Sequence, residues 1–145
     1  MKRFTRGVCF LLVVVMMFAL PALAAEVAEP RSSNYFMYSS VYFWNTSGNI
    51  YEIWFDVTSV SIMQEVGVSK IIVQRSTDEE NWTTVKTYYK EDYPQMTKTN
   101  AAHNCNCVPF TATPGYSYRA IVYLYARNSS GYGSLRETTP LLDLR

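Results

Sequence analysis

The sequence predicts an all-β protein: one antiparallel β-sandwich of about seven short strands. Three observations predict it. The best-patterned stretches alternate apolar and polar residues at a period of two, with little helical periodicity. Clusters of Asn, Gly, Ser, Asp and Pro punctuate the chain at regular intervals. Beyond residue 24 all twelve tyrosines, the three tryptophans and four of the seven phenylalanines remain, too many aromatics for a disordered chain. The 145 residues suffice for one domain.

Residues 1–24 read as an address. Lys2, Arg3 and Arg6 precede an uncharged apolar run from Gly7 to Leu20, Pro21 breaks it, and Ala22-Leu23-Ala24 places small residues where a signal peptidase cuts. Cleavage is expected after Ala24. The rival is an uncleaved anchor, because Gly7 to Ala25 approaches the roughly 20 residues of a spanning helix. Cleavage leaves a chain expected to be soluble and outside the cytoplasm, with membrane contact only if cleavage fails. It then carries ten basic and twelve acidic side chains. That balance argues against nucleic acid, whose phosphates call for a basic face.

Residues 25–34 form a polar lead-in with Pro30, read as a linker to a sandwich spanning 35–139. Tyr35 to Trp44 is the first strand, with apolar residues on both faces and no clear parity. Asn45 to Asn49 is a turn. From Ile50 to Ser59, Tyr51, Ile53, Phe55 and Val57 alternate with Glu52, Trp54, Asp56 and Thr58. The charges at 52 and 56 put the even positions in water, Trp54 among them.

Ser61 to Ser69 reads as a crossing loop or single helical turn. Lys70 to Ser76 is a strand with Ile71 and Val73 inward. It forms a hairpin with Trp82 to Tyr89 across the polar turn Asp78-Glu79-Glu80-Asn81. Lys90 to Asn100 is polar, and its Pro94 forbids a central strand. Asn104 to Phe110 is a short strand, and Thr113-Pro114-Gly115 a turn.

Tyr116 to Arg127 is the best strand. Tyr116, Tyr118, Ala120, Val122, Leu124 and Ala126 share one face. Ser117, Arg119, Tyr123, Tyr125 and Arg127 share the other, with Ile121 the exception. Asn128 to Gly133 is a turn, Ser134 to Thr139 the last strand, and residues 140–145 a tail.

The stretch from Tyr116 to Val122, with Ala126 to Gly133, resembles the last hairpin of fibronectin type III domains. The resemblance implies an immunoglobulin-like sandwich in which Tyr116 or Tyr118 bonds its hydroxyl to the chain just upstream. Arg75-Ser76-Thr77-Asp78 to Asn81-Trp82-Thr83 resembles a hairpin of bacterial β-sandwiches in which the Trp lies over the turn. Arg31-Ser32-Ser33, Asn81-Trp82-Thr83 with Val85 and Thr87-Tyr88, and Gly115-Tyr116 to Ala126 together resemble a family of small secreted proteins of Gram-positive gut bacteria. That family is a domain of unknown function, and the resemblance implies no activity, cofactor or catalytic residue. Cys105-Asn106-Cys107 departs from its pattern.

His103, Cys105 and Cys107 supply zinc-ligand chemistry, but on a strand His103 and Cys107 stand roughly 13 Å apart. No metal or cofactor is expected. A Cys105–Cys107 bridge is expected instead, strained because alternate strand residues are roughly 6.6 Å apart. Free thiols and interchain bonds are the alternatives. One histidine and no G-x-S-x-G motif argue against a hydrolase. Glu52 and Asp56 share a face at roughly 13 Å, which neither glycosidase geometry uses. Asp78 to Asn81 reads as a soluble turn rather than a calcium loop. The three Asn-x-Ser/Thr sequons, at Asn45, Asn81 and Asn128, fall in turns.

Trp54, Tyr123 and Tyr125 on outer faces, flanked by Arg119 and Arg127, are of the residue types that bind partners and stack on sugars. The competing role is pairing across strands to stabilise the sheet. The sequence thus leads to an exported, non-enzymatic sandwich, a protein-interaction or binding module at the cell exterior whose candidate partners are a surface protein and a glycan. The alternatives are a carbohydrate-binding module using these aromatics and a thiol- or metal-dependent protein using His103, Cys105 and Cys107.

Overall fold

A computed structural model describes residues 33–145. The signal segment 1–24, its cleavage point and the linker up to residue 32 lie outside the described residues. The strands are β1 (Phe36–Ser47), β2 (Ile50–Ser76), β3 (Thr83–Tyr89), β4 (Thr97–Thr111), β5 (Ser117–Asn128), β6 (Gly131–Thr138) and β7 (Leu142–Asp143). All pairings are antiparallel. Two short 3-10 turns, Ser33–Tyr35 and Pro94–Met96, are the helical elements among the described residues. No helix there is long and apolar enough to cross a membrane.

The sheet folds over on itself into two layers, and β2 is the spine of both. Its first half lies between β1 and β4, and its second half between β3 and β5. Beyond β5 lie β6 and β7. The strands expected separately at Ile50–Ser59 and Lys70–Ser76 are therefore one, and the loop expected over Ser61–Ser69 is its corner. Pairing with β4 passes from Thr58–His103 to Met63–Ala101, so residues 59–62 oppose Ala102 alone. Such a bulge lets a strand turn from one layer into the other. The Ser59 hydroxyl lies 2.7 Å from the Ser61 carbonyl and 3.0 Å from that of Ala102, and ties the corner down.

The strand expected at Asn104–Phe110 begins earlier, at Thr97. Pro94 sits in the 3-10 turn just before it, where its missing N–H does no harm. The expected tail is also part of the sheet. Leu142 and Asp143 pair with Tyr118 and Ser117.

Contacts between layers define the core. Ile53, Phe55, Val57, Ile71, Val73, Val108, Val122 and Leu124 are fully buried in one cluster. Phe110 of one layer meets Tyr118 of the other edge-on at 5.3 Å. On one side of the sandwich the Ser39 hydroxyl of β1 donates to Glu137 of β6. On the other, the Tyr88 hydroxyl of β3 donates to the Pro109 carbonyl of β4 at 2.6 Å. The predicted parity of 51–57 and of Tyr118 to Ala126 holds throughout.

Two expected local devices are present. The Tyr118 hydroxyl bonds back to Thr113, five residues upstream. Trp82 lies at the β2–β3 turn and donates its Nε1–H to the Glu79 carbonyl at 3.0 Å.

Candidate functional site

In β1, Val41 is buried, Phe43 packs on Phe110 and Ser39 reaches Glu137 of the other layer, so between the irregularities at its two ends the odd positions face the core. The even positions face out. Register then fixes an outer face of three strands in four rungs: Trp44–Glu52–Pro109, Tyr42–Trp54–Cys107, Ser40–Asp56–Cys105 and Tyr38–Thr58–His103. Trp44 is 59% exposed and Tyr38 54%, while Trp54 is half-buried between Tyr42 and Cys107. Adjacent rungs are about 6.7 Å apart and adjacent strands about 4.8 Å, so the rings form a compact platform. Its polar groups are Glu52, Asp56, His103 and small hydroxyls, and no rung contains Lys or Arg.

Hydrogen bonds hold these groups in place. The Trp54 indole N–H donates to Glu52 Oε2 at 2.8 Å, which fixes the ring against the sheet. His103 Nε2 lies 2.8 Å from Asp56 Oδ1 across the β2–β4 pairing. Asp56 keeps its second oxygen for a ligand, whereas Glu52 also takes a hydrogen bond from the Cys107 thiol. Such an arrangement offers aromatic faces beside fixed hydrogen-bond acceptors, the composition of a site for a flat, hydroxyl-bearing molecule.

Trp54 is the one sequence-predicted aromatic in this face. Tyr123 and Tyr125 lie on β5, where Lys70 Nζ sits 4.2 Å from the Tyr123 ring centroid and Lys90 Nζ 4.4 Å from that of Tyr125. Tyr125 also stacks on Tyr132 at 6.3 Å. Arg119 stacks on Trp82 at 4.2 Å and donates to Gln74. Arg127 lies 3.7 Å from Glu65. The predicted group of five is therefore split between two layers, and its β5 members are engaged in cross-strand cation–π, stacking and ionic contacts.

The expected Cys105–Cys107 bridge is absent, and both thiols are free. Extended backbone holds them parallel at alternate positions, at the outer limit of disulfide geometry. Burial, then the charge and hydrogen bond of Glu52, push the Cys107 thiol up. His103, Cys105 and Cys107 stay strung along β4. Among the described residues no group of three His, Cys, Asp or Glu side chains is placed to hold a metal.

At the β2–β3 turn, Asp78 accepts from the Glu80 and Asn81 amides and from the Asn81 side chain. The Asn81 and Ser76 hydrogen bonds hold its carboxyl far below the usual carboxylate range, and the turn itself consumes the oxygens that calcium would need.

Tyr42 and Trp44 were not legible as site residues, because β1 is aromatic on both faces. One signal was available. Val41 and Phe43 are wholly apolar, whereas Tyr and Trp carry a polar tip suited to a wet surface.

Comparison of the chain with protein-family models, with curated proteins and with solved structures finds no match.

Proposed function

We propose that this protein is an exported, non-enzymatic binding module whose aromatic face takes a neutral glycan. The observation that carries the reading is the joint placement of Tyr42, Trp44 and Trp54 on one outer face, with Trp44 exposed and Trp54 pinned by Glu52. Sugar rings present patches of C–H that stack on aromatic faces, and their hydroxyls can donate to Glu52 and Asp56. The lack of Lys and Arg among the rungs favours an uncharged ligand. The N-terminal signal pattern supports export, and the Tyr118 corner supports kinship with fibronectin type III sandwiches.

A glycan array followed by titration of the hits tests this. The expected result is saturable binding of a neutral oligosaccharide, weakened at least about tenfold by Trp44→Ala and unchanged by Tyr125→Ala. No neutral glycan bound, or equal loss in both variants, overturns it.

A protein ligand is the second reading. Ile62 is 73% exposed and Val60 49% at the β2 corner, with Met37 exposed beside the Phe36–Ser59 pair. This patch borders the Tyr38–Thr58–His103 rung, with Ile62 four residues along β2 from Thr58 and away from Tyr42, Trp44 and Trp54, and Ile62→Ser separates the two readings. It leaves glycan binding intact and abolishes capture of a protein partner.

A further inference from the structure

A cleft of about 430 Å³ opens where the free edge of β3 faces the end of β4. Tyr88, Tyr93, Phe110 and Tyr118 give it aromatic walls, and none of its lining residues is acidic. Two cations enter it. Arg75 follows Ile71 and Val73 on the alternating inward side of β2, and Lys86 pairs with Val73 on β3. Both therefore stand where the apolar core gives way to the mouth between the layers.

Neither cation forms an ion pair among the described residues. Each is instead held against a ring: Arg75 lies 4.4 Å from the Tyr116 centroid and Lys86 5.3 Å from that of Tyr88. A ring leaves much of a guanidinium's hydrogen-bonding edge free, and an ammonium keeps its donors. Two unpaired cations converging on an acid-free, aromatic-walled cleft form a receptor for an oxyanion joined to a flat body. The volume is at the small end of the range for small-molecule sites, enough for one or two rings.

We propose that this cleft binds a small ring-bearing carboxylate, with Arg75 and Lys86 taking the carboxylate and the tyrosines flanking the ring. The site is distinct from the aromatic face of β1, β2 and β4 and does not depend on it. Two sources share the chemistry, a uronic acid sugar and an aromatic acid.

Titration calorimetry of the purified protein at low salt tests it with four probes: methyl glucuronide, benzoate, the uncharged amide of whichever binds, and inorganic phosphate. The expected result is saturable binding of one carboxylate, at least about tenfold weaker for its amide and for Lys86→Gln or Arg75→Gln. Added salt should also weaken it. Lys86 is exposed, so its variant keeps the fold even if Arg75→Gln does not. Trp44→Ala should leave this binding unchanged, which separates the cleft from the aromatic face. Methyl glucuronide and benzoate both failing to bind, equal binding of acid and amide, phosphate binding as tightly as the ring, or no effect of Lys86→Gln would each overturn the proposal.

Discussion

The Tyr118 hydroxyl sits between the two backbone groups of Thr113. It accepts from the Thr113 amide at 2.9 Å and donates to the Thr113 carbonyl at 3.1 Å. Tyr118 is 2% exposed, so its ring anchors the connection between β4 and β5 from within the core. Tyr118→Phe keeps the ring and leaves both backbone groups without this partner. The expected loss is about 1–3 kcal/mol. Urea denaturation checks it: the midpoint should fall while the slope stays the same.

Gly67 has a positive φ of +146°, and an added Cβ there would lie 2.1 Å from the Met96 carbonyl oxygen and 2.9 Å from Thr97 Cα. Backbone cannot yield cheaply on either side, because Asn104 Nδ2 already donates to that same carbonyl at 2.9 Å. Gly67→Ala should cost about 3 kcal/mol or more. Gly48, at φ +55° with nothing within 4 Å, is the control. Alanine there should cost about 1 kcal/mol. Equal losses in the two variants would contradict the packing of the Pro94–Met96 turn on β2.

Glu65 is the acid-sensitive group of the β2 corner. Burial would raise its pKa. Hydrogen bonds from Lys90 and Thr97 and the charges of Lys90 and Arg127 outweigh this and bring it below the ordinary 4.5. A depressed carboxylate stabilises the fold above its unfolded pKa and loses that contribution as pH falls through the folded value. Stability should therefore decline as the pH drops below about 4.5, and Glu65→Gln should flatten that decline. Thermal melts of both proteins across the acid range decide it.

The thiols should differ in reactivity. Cys105 is exposed, whereas Cys107 is half-buried and pushed up by burial and Glu52. Thiolate is the reacting form, so an alkylating reagent at neutral pH should label Cys105 first. Mass spectrometry of the non-reduced protein should find two free thiols on the folded chain. A mass lower by two hydrogens would show the bridge that this geometry opposes.

Strands whose two faces differ in chemistry were legible. Glu52 and Asp56 between Tyr51, Ile53, Phe55 and Val57 admit one orientation, and the structure has it. The corner was not, because Gly67 and the exposed Val60 and Ile62 look like loop residues. Gly67 remains strand because β4 pairs Thr97 with it, and Thr99 and Ala101 with Glu65 and Met63, a pairing that no local pattern encodes, while Val60 and Ile62 fall in the bulge opposite Ala102. The candidate face was half legible. Trp54 followed from its charged neighbours. Tyr42 and Trp44 join it only through register with β2, and register is a long-range property. Tyr123 and Tyr125 were read as outward with good reason, but the lysines that cover them come from Lys70 and Lys90, distant in sequence.

The chain has three tryptophans, and their indole N–H signals test the central claim most directly. Trp44 and Trp54 lie on the proposed glycan face, while Trp82 lies under Arg119 at the β2–β3 turn. An NMR titration with a neutral oligosaccharide that binds should shift the Trp44 and Trp54 signals together and leave Trp82 in place. Saturable binding that moves Trp82, or moves none of the three, would contradict the assignment of the face.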